Sequence, residues 1–184
     1  MAINDSEPMK NRYYLATLLI LVIDHVTKWI ARTTLHPNPA ANRTIDIIPG
    51  YLRLSYVDNS GVAFGFFDSI ESAWKPYILA AVAIIAIIVI FAYSMRMPKN
   101  RKLLQFALAI TMGGILGNFV DRLFRGYVVD FIEFHIHEIF YWPTFNAADS
   151  AITIGIALLL IDTVKSPTME EIPGTGQHSI DSQL

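Results

Sequence analysis

The sequence contains no cysteine. That single absence excludes disulfides, thiolate–zinc sites and a cysteine nucleophile together. Charge is scarce as well: Asp, Glu, Lys and Arg make up 16% of the 184 residues, against roughly 25% in an average soluble domain. The 14 basic and 16 acidic residues leave a formal charge of −2, so no basic excess points to a nucleic-acid partner. There is no internal repeat and no low-complexity tract, and the length suits one domain. Apolar residues reach 53%, with a mean hydropathy of +0.42. That fraction alone is close to ordinary. The class is decided by where the few charges fall.

Between Lys75 and Arg96 lie 20 uncharged residues, enough at about 1.5 Å each to cross a hydrocarbon core of roughly 30 Å. Leu103 to Val120 is a second charge-free window. Tyr13 to Ala31 is apolar except for Asp24, His25 and Lys28, and Asn146 to Val164 except for Asp149 and Asp162. These windows predict four transmembrane helices, at about 13–31, 76–95, 103–121 and 146–164. The loop 96–102 carries Arg96, Lys99, Arg101 and Lys102 without an acid, which predicts that it faces the cytoplasm. Both termini then lie on that side. The connections 32–74 and 121–146 lie outside, with Trp29, Trp74, Tyr77, Tyr141 and Trp142 near the outer boundary as an aromatic belt. No small-x-small site follows the first span, so it reads as an anchor rather than a cleaved leader. The polar tail 166–184, with Pro167 and Pro173, is expected to be disordered.

The first outer connection has structure of its own. Leu52, Leu54 and Tyr56 alternate with Arg53 and Ser55, the pattern of a strand with one wet face. Asp58-Asn59-Ser60-Gly61 supplies a turn, and Val62 to Phe67 suits a returning strand. Asp68 or Ser69 suits the cap of a short interfacial helix carrying Ile70, Ala73 and Trp74. The expected fold is therefore an all-α membrane bundle of four helices bearing a small outward sheet and a short surface helix, over about 45–74. Residues 1–165 would form one membrane domain.

An ionisable group inside a bilayer costs about 2.5–3.5 kcal/mol on insertion scales, so each should have a partner or a task. Asp24 and Lys28 stand four apart on one helix face. They read either as a mutually neutralising pair or, with Ser60 or Ser150 as nucleophile, as a Ser/Lys peptidase with Lys28 as base. Gly113 and Gly117 form a small-xxx-small pair that admits a neighbouring helix. Asn118, Asp121 and Arg122 continue that face outward, and Asn118 and Arg122 together could hold the carbonyl groups of a guest. Asp130 sits inside the apolar pentapeptide Val128-Val129-Asp130-Phe131-Ile132. Asn146 and Asp149 stand three apart at a helix start, where Asn146 suits a cap and Asp149 a bundle-facing position. Asp130 and Asp149 approach one depth from separate segments. Two carboxylates sharing a site cannot both ionise cheaply, so one keeps a proton, which is the chemistry of an aspartic protease. The plainer reading is a cap and a loop aspartate. His135, His137 and Glu138 lack further ligands at a metal-binding spacing, and the stretch reads as a wet loop. A polar-lined transporter is a third class, disfavoured by four spans without a repeat.

Five segments, taken together, resemble the bacterial lipoprotein signal peptidases, or signal peptidase II. They are Asp24-His25-Val26-Thr27-Lys28, Asn59-Ser60-Gly61-Val62-Ala63-Phe64, the run from Gly113 to Arg122, Val129-Asp130-Phe131-Ile132, and the stretch from Trp142 to Asp149. They occur in family order across residues 24–149. The resemblance implies an inner-membrane aspartic endopeptidase that removes the signal peptide of diacylglyceryl-modified prolipoproteins just before the lipobox cysteine. It implies Asp130 and Asp149 as catalytic residues, and Asn59, Gly61, Asn118, Arg122 and Asn146 as substrate-binding ones. Asp24, Lys28 and Asp121 would be structural supports. It implies no cofactor and no metal, contact with membrane phospholipid, and inhibition by globomycin-like cyclic peptides. His25 stands where the family commonly has glutamine.

Overall fold

The computed structural model of the chain describes residues 11–36, 43–61, 74–97, 100–137 and 139–165. In chain order the elements are α1 (Asn11–Leu35), β1 (Ile45–Ile48), β2 (Leu52–Asn59), α2 (Lys75–Ser94), α3 (Lys102–Arg125), β3 (Val128–Ile136), β4 (Phe140–Tyr141) and α4 (Ala147–Lys165). All four helices are long and apolar enough to cross a membrane. The strands form an antiparallel sheet in the order β1-β2-β3-β4. The expected return strand at 62–67, the surface helix at 70–73, Glu138 and the tail 166–184 lie outside the described residues.

α3 is the central helix, touching α1, α2 and α4. In its most apolar stretch 67% of residues are buried, against 11% in α2, whose Ile85 and Ile88 point outward to where lipid would lie. Small residues make this centrality possible. The Gly113 backbone lies against Thr17 and Ile20 of α1, and Gly114 against Ala148 and Ile152 of α4. Gly117 lies between Asp24 and Ala148. The Thr17 hydroxyl closes the α1–α3 contact by donating to the Ala109 carbonyl at 2.9 Å. At the far end Arg101 pairs with Asp162.

α1 and α3 both run past the spans expected for them, because the sheet covers their ends. Ala31 and Leu35 in the last turns of α1 pack with Tyr56, Val129 and Phe131 in one apolar cluster. α3 continues to Arg125 and stops at Gly126, whose left-handed φ of 79° opens the turn into β3.

Two local expectations are corrected. The stretch around His135 is not a wet loop: β3 runs to Ile136, and His135 is only 6% exposed. Its ring stacks on Tyr141, and its Nδ1–H donates to the His137 carbonyl at 2.9 Å. Ser55 is not on a wet face either. It is buried next to buried Tyr56, because the β2–β3 ladder shifts register between Leu54 and Val57.

Candidate active site

The site forms where β3 meets the start of α4. Phe145 pairs with the free edge of β3: its N–H donates to the Ile132 carbonyl at 3.0 Å, and its carbonyl accepts from the Ile132 and Phe131 N–H groups. Asn146, the next residue, caps α4. Its Oδ1 accepts from the Asp149 N–H at 3.0 Å, while Asp149 Oδ2 accepts from the Asn146 N–H at 3.2 Å. This is a reciprocal capping box built from Asn and Asp. The plain capping role of Asp149 is therefore real, and it leaves Asp149 Oδ1 free to reach the bundle, where the Asn118 side-chain amide donates to it at 2.8 Å.

Asn146 also ties the cap to Asp130. Its Nδ2 donates to Asp130 Oδ1 at 2.6 Å, and Asn59 Nδ2 donates to Asp130 Oδ2 at 2.8 Å. Asp130 is 1% exposed. Burial first, and then the neighbouring Asp149 carboxylate, push its carboxyl up to about 6, against the pull of the Asn59 and Asn146 amides and the Lys28 charge. One asparagine thus bridges both aspartates, and each aspartate holds a second amide of its own.

Lys28 organises the next layer. Its ammonium forms ion pairs with Asp24 Oδ2 at 2.8 Å and Asp121 Oδ2 at 2.9 Å and donates to Asn118 Oδ1 at 2.9 Å, with Lys28 itself 1% exposed. Two carboxylates and one amide oxygen thus surround the buried charge. The grip on Asn118 Oδ1 turns its amide nitrogen toward Asp149. Asp24 Oδ1 accepts from the Ala148 N–H at 2.9 Å, and Asp121 also receives Arg125 and the Val129 N–H. A Ser/Lys arrangement with Ser150 is not assembled here. Lys28 is held between two carboxylates and an amide, and the Ser150 hydroxyl donates to the Asn146 carbonyl within its own helix.

Gly61 and Arg122 complete the set named by the sequence. The Gly61 N–H donates to Asn59 Oδ1 at 2.8 Å, and its carbonyl accepts from Arg122 Nη2 at 3.4 Å. Asn59, Asn118, Arg122, Asp130 and Asp149 all line a cavity of about 1010 Å³ whose walls come from α2, α3 and α4. Apart from that polar corner its lining is mostly apolar, with Ile78, Val82 and Ile152 among the residues present. All ten sequence-named residues therefore fall in one connected neighbourhood. Two participants were missed. Arg125 was visible in principle, four residues after Asp121. The main-chain anchoring by Phe145 carries no side-chain signal. Among the described residues, no group of three His, Asp or Glu is arranged to hold a metal ion.

Known proteins bear on this geometry. The family profile described as Signal peptidase (SPase) II matches residues 16–165. A lipoprotein signal peptidase of Acinetobacter baylyi is 44% identical over 147 residues, covering 80% of this chain and 78% of that protein. One from Francisella tularensis subsp. novicida is 36% identical over 151 residues, covering 82% and 90%. A bacterial membrane enzyme solved by the in meso method at 2.3 Å superposes with a TM-score of 0.72 at 29% identity, covering 94% of this chain and 99% of that one.

Proposed function

This chain belongs to the signal peptidase II family, and we propose that it cuts diacylglyceryl-modified prolipoproteins on the N-terminal side of the lipobox cysteine, using Asp130 and Asp149. Membership makes it a peptidase of a bacterial membrane with lipoprotein substrates. The aspartic mechanism, the lipobox cut and the inner-membrane orientation are the proposal's own.

The observation that carries the mechanism is the amide-bridged pair: two carboxylates from separate elements joined through Asn146 at the edge of a large, mostly apolar cavity. Asp130 is the more deeply buried of the two, with its carboxyl pushed up to about 6, and the proposed mechanism assigns it the role of proton donor. Asp149 takes a proton from a water molecule as that water attacks the scissile carbonyl carbon. Asp130 donates its proton to the carbonyl oxygen. The tetrahedral intermediate then collapses: as the C–N bond breaks, one hydroxyl proton returns to Asp130 while C=O re-forms, and the departing amine of the cysteine takes the proton held by Asp149. Asn118 and Arg122 line the cavity where they can hold the peptide's other carbonyl groups. The cavity's walls on α2 and α4 offer the lipidated substrate a route from the bilayer with its acyl chains still in an apolar setting.

The test is cleavage of a diacylglyceryl-modified prolipoprotein by the purified enzyme in detergent. The expected products are the free signal peptide and a lipoprotein whose first residue is the lipidated cysteine, with globomycin blocking their formation. Equal cleavage of the unlipidated precursor, or a cut elsewhere, would contradict the reading.

A further inference from the structure

The β2–β3 ladder changes register once. Leu52, Arg53 and Leu54 face Phe134, Glu133 and Ile132, whereas Val57, Asp58 and Asn59 face Asp130, Val129 and Val128. Ser55 and Tyr56 therefore stand together opposite Phe131, which is a β-bulge. Because side chains alternate across a strand, one extra residue reverses which later positions of β2 share a face with Asp130. If the Leu54–Ile132 register ran on without the bulge, Asp58 would face Val128 and stand diagonal to Asp130, and Asn59 would turn to the other face. The chemical difference is large. Asn59 gives Asp130 an amide donor at 2.8 Å, while Asp58 would bring a further carboxylate to the pair.

The bulge is gripped from β3. The Ser55 hydroxyl donates to Glu133 Oε2 at 3.0 Å, and Glu133 Oε1 forms an ion pair with Arg53 Nη2 at 2.6 Å. One carboxylate thus holds a residue of the regular ladder and the first bulged residue at once. Ser55 is 7% and Glu133 8% exposed, and Tyr56 is fixed in the apolar cluster with Val129 and Phe131. Glu133, an odd number of residues from Asp130 on the same strand, lies on the opposite face. The reaction as described above makes no use of it.

We propose that Ser55 and Glu133 are positioning residues, holding the bulge in register so that Asn59, and not Asp58, meets Asp130. The proposal rests on Asp130 being a catalytic carboxylate. It is tested by measuring kcat and KM of the full-length enzyme in detergent for Glu133→Leu, Glu133→Gln, Asn59→Ala and the Glu133→Leu/Asn59→Ala double variant, with Asp130→Asn as control. Glu133→Leu and Asn59→Ala are each expected to lose about tenfold in kcat with KM within about twofold. The double variant should lose no more than about twofold beyond the poorer single one, because both act through the same bond. Glu133→Gln keeps an oxygen for Ser55 and should stay within about threefold of the parent. Adding Asp58→Asn to Glu133→Leu should recover most of the loss, since the slipped strand then offers an amide again. Additive losses, an unchanged kcat in Glu133→Leu, or no recovery through Asp58→Asn would overturn the proposal. If Glu133→Leu does not fold, Ser55→Ala takes its place in the same cycle, with the same outcomes deciding. An active Asp130→Asn would overturn the underlying reading of the pair, whereas an inactive Asp130→Asn beside additive losses would overturn the positioning role alone.

Discussion

Asn59 shows how much one neutral side chain does in this site. Its amide is one of two that hold Asp130, and it works against the burial and the Asp149 charge that push that carboxyl up to about 6. Removing the amide in Asn59→Ala leaves the upward pushes in place and takes away a downward one, so Asp130 keeps its proton to higher pH. In the proposed mechanism Asp130 must be protonated, and losing that proton defines the alkaline limb of the activity profile. The alkaline limb of kcat/KM is therefore expected to move to higher pH in Asn59→Ala, as measured on a lipidated substrate across the pH range. The pair titrates as a unit, and the limb reports the pair. The residue types were legible from the sequence: asparagines and aspartates at depths where polar groups are costly. Which asparagine serves which aspartate was not, because Asn59 and Asp130 are 71 positions apart. Only the sheet joins them.

Among the elements, helices were easier to read than strands. Each span carries its own apolar run, so its existence needs no partner. β3 is different. Val129 and Phe131 look like a strand, but Glu133 and His135, on the same face, look wet until Ser55, Arg53 and Tyr141 are placed over them. Their burial is a tertiary fact, which is why the second half of β3 reads as loop from sequence. Helix contacts lie between these extremes: the Gly113/Gly117 pair announced a close neighbour, while the choice of neighbour came from the fold. At Gly114 a Cβ would meet the Ala148 carbonyl oxygen and sit 2.8 Å from Ile152 Cγ1. Since Ala148 lies one residue before Asp149, Gly114→Ala should push the start of α4 away from α3. It is expected to cost about 1–3 kcal/mol of stability, the usual range for overpacking. A lowered unfolding temperature in detergent, together with a fall in kcat, would bear this out; an unchanged enzyme would contradict the packing described here.

At the scale of the whole molecule, the sparse charges sort by role. Arg96, Arg101 and Lys102 gather at one end of the bundle, while Asp24, Lys28, Asp121, Arg122, Asp130 and Asp149 gather toward the other, the end that carries the sheet. The proposed orientation puts the basic end in the cytoplasm and the sheet outside. The absence of cysteine makes this directly measurable with single introduced thiols. Asp46 on β1 and Asn100 in the α2–α3 loop are both exposed. In intact spheroplasts, a membrane-impermeant maleimide should label Asp46→Cys, and should label Asn100→Cys only after permeabilisation. The reverse pattern would invert the topology.

The central claim is that Asp130 and Asp149 act as one catalytic unit, and it meets its most direct test in single-turnover cleavage of a diacylglyceryl-modified prolipoprotein by Asp130→Asn and Asp149→Asn. Both variants should remain folded and each should lose activity by at least about a hundredfold. Cleavage at the parental rate by either one would contradict the claim.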